Sequence, residues 1–166
     1  TRSAKIIRKN GRTSQASKGT QQGSIYVDDR LDAKNKNTTA QELNLNAHGN
    51  IYINNVIFLG PYYYYNNYSG HSITLTALGD LEINYAIYTT YTSTSGSYGG
   101  NLSDAGDISI TAGGDLDINS YLKADAIDNT YNNSTAYAGD AGDVSISARG
   151  ISLATSINLS GGDSAY

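Results

Sequence analysis

The feature that most constrains this chain is a phrase it repeats. An Ala-x-Gly step occurs at Ala47-His48-Gly49, Ala77-Leu78-Gly79, Ala112-Gly113-Gly114 and Ala148-Arg149-Gly150, at spacings of 30, 35 and 36 residues. Two apolar residues at alternate positions precede each step: Leu43 and Leu45, Ile73 and Leu75, Ile108 and Ile110, Val144 and Ile146. Two more follow it: Ile51 and Ile53, Leu81 and Ile83, Leu116 and Ile118, Ile151 and Leu153. One further apolar position closes each copy, at Ile57, Ile87, Leu122 and Ile157. An earlier half-copy, "GSIYVDDRLDA", supplies Ile25, Val27 and Leu31 at the matching places.

Alternation at period two is the signature of a strand with one apolar face. Each copy therefore reads as strand, small-residue corner, strand, further contact. One copy cannot bury its own apolar face. Stacked copies can, because each covers the next and equivalent residues line up in columns. No run has helical periodicity, and Ser, Thr, Asn, Gly and Tyr dominate, as suits short strands joined by turns. The expected fold is all-β: a single-stranded parallel β-helix, or β-solenoid, of about five rungs spanning residues 23–166. At a strand spacing of roughly 4.8 Å, four to five turns make a rod of roughly 20–25 Å.

The copies differ in one place only, after the last apolar position. The segments 58–69, 88–104 and 123–140 are unlike one another. Insertions at one point of a coil project from one side of a solenoid. These loops are Tyr-rich, with Tyr62, Tyr63, Tyr64, Tyr65, Tyr68, Tyr88 and Tyr91 among them. Tyr packs on flat apolar surfaces and keeps a hydroxyl for hydrogen bonding. The loops either bind or pack against a partner, or fold over the rod and shield it.

"GDISITAGGDLDIN" and "AGDAGDVSISARGISLATSINLSGGDSAY" resemble the coil repeats of filamentous haemagglutinin-like exoproteins, including the haemagglutination-type repeats of cyanobacterial surface proteins. The resemblance covers roughly Gly23 to Tyr166. It implies a right-handed parallel β-helix, secretion, and a role at the cell surface. It brings no catalytic residues. The Asn-Pro-Asn-Gly type motif of that family's secretion domain is not found, the sole Pro being Pro61.

Composition adds limits. Cys, Met and Trp are absent, so disulfides and thiolate metal sites are excluded. No stretch is apolar enough to span a bilayer as a helix. With no initiator Met and no apolar signal segment, the chain reads as a processed product or a fragment. Six of the eleven basic residues fall in the first 18 positions, at Arg2, Lys5, Arg8, Lys9, Arg12 and Lys18, while the first acid is Asp28. A basic arm, residues 1–22, thus precedes an acidic body. The arm is either disordered, a contact for polyanions, or a docking strand in which "AKIIR" pairs with a neighbour. It lacks aromatic residues, so stacking on nucleic-acid bases is not expected. Docking is expected, by strand addition to the end of the next subunit. Head-to-tail contacts of that kind do not close and produce filaments.

Two columns invite a functional reading. Asn54, Asn84 and Asn119 share one position, with Asp28 before and Ala154 after. Stacked amides form a structural ladder or, alternatively, a ligand site. Asp80 and Glu82 align with Asp115 and Asp117 one copy on. Four carboxylates on one face either bind a hard cation such as Ca²⁺ or form a solvated acidic surface. No cofactor is expected, structural Ca²⁺ at this patch being the one candidate. A glycoside-cleaving carboxylate pair is disfavoured, because the acids sit at repeat-equivalent positions. The expected protein is therefore not an enzyme. It is a secreted structural or adhesive subunit at the cell surface, assembled end to end with copies of itself and offering its loops to a surface glycan or matrix. The alternative is a stalk fragment of a larger adhesin with glycan-binding loops.

Overall fold

The computed structural model describes residues 4–5, 23–33, 41–60, 69–90, 95–96, 103–125, 128–129 and 139–159. The first strands are β1 (Ala4–Lys5), β2 (Ile25–Val27), β3 (Leu31–Asp32), β4 (Glu42–Ala47), β5 (Ile51–Ile53) and β6 (Ile57–Phe58). They are followed by β7 (Ser72–Ala77), β8 (Leu81–Ile83), β9 (Ile87–Tyr88), β10 (Ser95–Gly96), β11 (Ile108–Ala112) and β12 (Asp115–Ile118). The last are β13 (Leu122–Lys123), β14 (Asp128–Asn129), β15 (Val144–Ser147), β16 (Gly150–Leu153) and β17 (Ile157–Asn158). Among the described residues there is no helix.

Three sheets carry the fold, with strand orders β1-β2-β5-β8-β12-β16, β4-β7-β11-β15 and β3-β6-β9-β13-β17. Every pairing is parallel. The chain visits the three sheets in turn and then starts again one strand further along each. This is a solenoid-like, all-parallel β architecture. A separate parallel pair, β10 with β14, joins the inserted segments that follow β9 and β13.

Register explains the repeat. Ile51 pairs with Leu81, Leu81 with Leu116, and Leu116 with Ile151. The chain Leu43–Ile73–Ile108–Val144 does the same in a second sheet, and Leu31–Ile57–Ile87–Leu122–Ile157 in the third. Like residues stacked at strand spacing fill the interior in columns. Ile51, Ile53, Ile57, Ile73, Leu75, Leu81, Ile83, Ile87, Ile108, Leu116, Ile118 and Leu122 are wholly buried. Each such side chain contributes about 1.5–3 kcal/mol relative to leaving it in water.

The two ends of the stack differ. At the N-terminal end Ile25, Val27, Leu31, Leu45 and Ala47 are only 1–7% exposed, and β1 lies on the outer edge of β2. At the other end the same columns stand open: Ile151 is 57% exposed, Leu153 49% and Leu159 44%. No described strand pairs on the far side of β15, β16 or β17.

Two positions of one column therefore differ sharply in expected cost. Leu116→Ala leaves a cavity in a closed interior and should destabilise the dilute protein by about 2–5 kcal/mol in denaturant melts. Ile151→Ala, in the same column, should cost well under about 1 kcal/mol.

Candidate functional site

Alongside the backbone ladders, side chains form further ladders parallel to the stacking axis. At one corner Asn54 Nδ2 donates to Asp28 Oδ1 at 3.1 Å, Asn84 Nδ2 to Asn54 Oδ1 at 3.1 Å, and Asn119 Nδ2 to Asn84 Oδ1 at 3.0 Å. The direction is uniform: each amide donates back to the copy before it. The series begins at Asp28, which as a carboxylate can only accept. It stops before Ala154, which offers no side-chain donor.

A second set caps backbone amides. The N–H of Asn50 donates to Ser24 Oγ at 3.1 Å, that of Asp80 to Asn50 Oδ1 at 2.9 Å, and that of Asp115 to Asp80 Oδ1 at 2.9 Å. The Gly of each Ala-x-Gly step is what makes room for this. A Cβ on Gly79 would collide with Asn50 Oδ1, and one on Gly114 with Asp80 Oδ1. The small residue and the acceptor are one device, shared between consecutive copies. The "DAGD" segments repeat it: Asp107 N–H donates to Ser72 Oγ at 3.0 Å, Asp143 N–H to Asp107 Oδ1 at 2.9 Å, and Asp140 N–H to Asp104 Oδ1 at 2.9 Å.

This places the four carboxylates proposed for Ca²⁺. Asp80 and Asp115 lie in the capping column; Asp80 Oδ1 takes a backbone N–H, and Asp115 Oδ1 lies 3.4 Å from Arg149 Nε in an exposed ion pair. Glu82 and Asp117 pair in register on the outer face, in a row running from Tyr26 and Tyr52 to Ser152. Among the described residues no three His, Cys, Asp or Glu side chains gather closely enough to hold a metal ion. In the same outer row Tyr26 and Tyr52 stack with centroids 4.8 Å apart and planes 13° from parallel.

Of the tyrosines assigned to the loops, Tyr88 packs on Phe58 at a centroid distance of 6.1 Å. Tyr62, Tyr63, Tyr64, Tyr65, Tyr68 and Tyr91 lie outside the described residues, as do Arg2, Arg8, Lys9 and Arg12. Lys5 lies in β1, which pairs with β2 of the same chain. Lys5 thus lies at the end of its sheet opposite β16. Two exposed tyrosines outside the inserted segments, Tyr85 and Tyr121, flank the Asn corner.

Sequence reasoning overlooked the capping columns. The signal was present: Ser24, Asn50, Asp80 and Asp115 share a repeat position, and all are acceptors. It also gave no structural role to His71, whose Nδ1 accepts the backbone N–H of Gln41 at 2.8 Å. Comparison with protein-family models, curated proteins and solved structures finds no match.

The Asn ladder should be cooperative along the axis. Asn84→Ala removes one bond on each side and should destabilise the protein by about 1–3 kcal/mol. Asn119→Ala removes only the bond to Asn84 and should cost less. Paired chemical-denaturation curves measure the difference.

Proposed function

We propose that this chain is a secreted structural protein of the cell surface, a right-handed parallel β-helix of about five rungs that associates end to end into filaments. The observation that carries the reading is the open edge formed by β15, β16 and β17, where Ile151, Leu153 and Leu159 lie exposed in line with a closed core. Contiguous apolar surface rimmed by polar residues marks an interaction site, and unpaired strand edges template further pairing. Right-handedness follows the strong preference of connections between parallel strands.

Charge favours a head-to-tail arrangement. Lys5, one of the six basic residues at the start of the sequence, lies in β1 at one end of the stack. Exposed Asp140 and Asp143 lie in and beside the last turn of strands at the other. Opposite potentials steer such encounters and suppress the reverse orientation. A scaffold role also accounts for carboxylates such as Asp80 and Asp107, each of which caps a backbone amide of the next copy.

Concentration-dependent filaments should appear in negative-stain electron micrographs and in sedimentation velocity, with the subunits repeating along the stacking axis. Ile151→Lys with Leu153→Lys should leave a folded, monodisperse monomer. Wild-type particles that stay monodisperse at high concentration would contradict the assembly. If they associate only after further repeats are appended, the chain is instead a stalk segment of a larger adhesin.

A further inference from the structure

We infer that His71 is a pH-sensitive clasp, which holds the start of β4 to the start of β7 while its ring is neutral and releases it when Nδ1 takes a proton. His71 occupies the position filled by Gly106 and Gly142 in the following copies, and it does what neither glycine can. Its Nδ1 accepts the Gln41 N–H at 2.8 Å. Around it, Ser72 N–H donates to Gln41 O at 3.0 Å, and His71 N–H to Leu59 O at 2.8 Å. Gln41 is thus held by the Ser72 backbone and the His71 side chain, at the start of the paired strands β4 and β7. Among the described strands β4 is an edge strand with β7 as its one partner in the sheet, so its start depends on few contacts.

The chemistry of release is simple. A neutral imidazole accepts at one nitrogen and donates at the other, whereas an imidazolium donates at both. Proton binding at Nδ1 therefore sets N–H against N–H and removes the bond to Gln41. Burial, the largest influence, pushes the His71 pKa below the ordinary histidine value. The Gln41 backbone pulls the other way and offsets part of this, while its N–H, which donates to Nδ1, is satisfied only by the neutral ring. The charged groups on the segments packed nearby are Glu42 on β4, whose Oε1 accepts from Thr74 Oγ1 at 2.5 Å, and Asp104 and Asp107 ahead of β11. The sign follows: with the folded pKa below the unfolded one, the contribution is complete above about pH 6.5. It is lost as pH falls through the folded value. This inference stands apart from the assembly reading, because it concerns contacts within one chain.

The test is a pH titration of the dilute wild-type protein by NMR, beside the same protein carrying His71→Asn. Asparagine keeps an acceptor for the Gln41 N–H but does not titrate. The Gln41 amide should shift with the same midpoint as His71, below that of a histidine in a short peptide. Its exchange protection should fall severalfold across that midpoint, and the neutral ring should carry its proton on Nε2. In the His71→Asn protein both changes at Gln41 should disappear. A neutral ring protonated at Nδ1, or a Gln41 response unchanged in His71→Asn, would overturn the clasp.

Discussion

Everything in this structure depends on contacts that run along the stacking axis between equivalent residues of successive copies. Within one copy the three short strands lie in different sheets and do not pair with one another. Their backbone groups, apolar side chains and many polar side chains are satisfied by the copy before or after. The Asn column and the Ser-Asn-Asp-Asp capping column follow the same rule as the backbone. Such an object is stable only as a stack, and its strength is close to a sum of interfaces between neighbours.

This geometry explains why polar residues recur as regularly as apolar ones in the repeated phrase. In Gly114-Asp115 the glycine leaves room for the Asp80 carboxylate, and the Asp115 amide is what that carboxylate caps. A Cβ at the glycine would drive out the cap, and loss of the acceptor would leave the amide at the corner without its partner. The acids read from the sequence as a cation patch are in part members of this device.

The columns were legible in the sequence because a solenoid writes its contacts at fixed offsets: Ile73, Ile108 and Val144 are neighbours in space and equivalents in the repeat. The Asn corner was legible for the same reason. Two things were not. The direction of hydrogen bonding in a column is invisible when donor and acceptor are carried by one residue type. The state of a residue at the end of a column is also invisible, because Ile151 and Leu116 occupy the same repeat position and differ only in what lies beyond them. The bond made by His71 was not legible either, because the residue departs from the repeat, filling a place where later copies have glycine.

If axial contacts are the source of cohesion, stability should vary along the stack and not around it. Hydrogen exchange resolved by strand, on dilute monomeric protein, measures this most directly. Protection should be highest in β7, β8, β11 and β12, each paired on both sides, and should fall through β15, β16 and β17, which are paired on one side only. Equal protection in β12 and β16, or a pattern that follows the sheet and not the position along the axis, would contradict it.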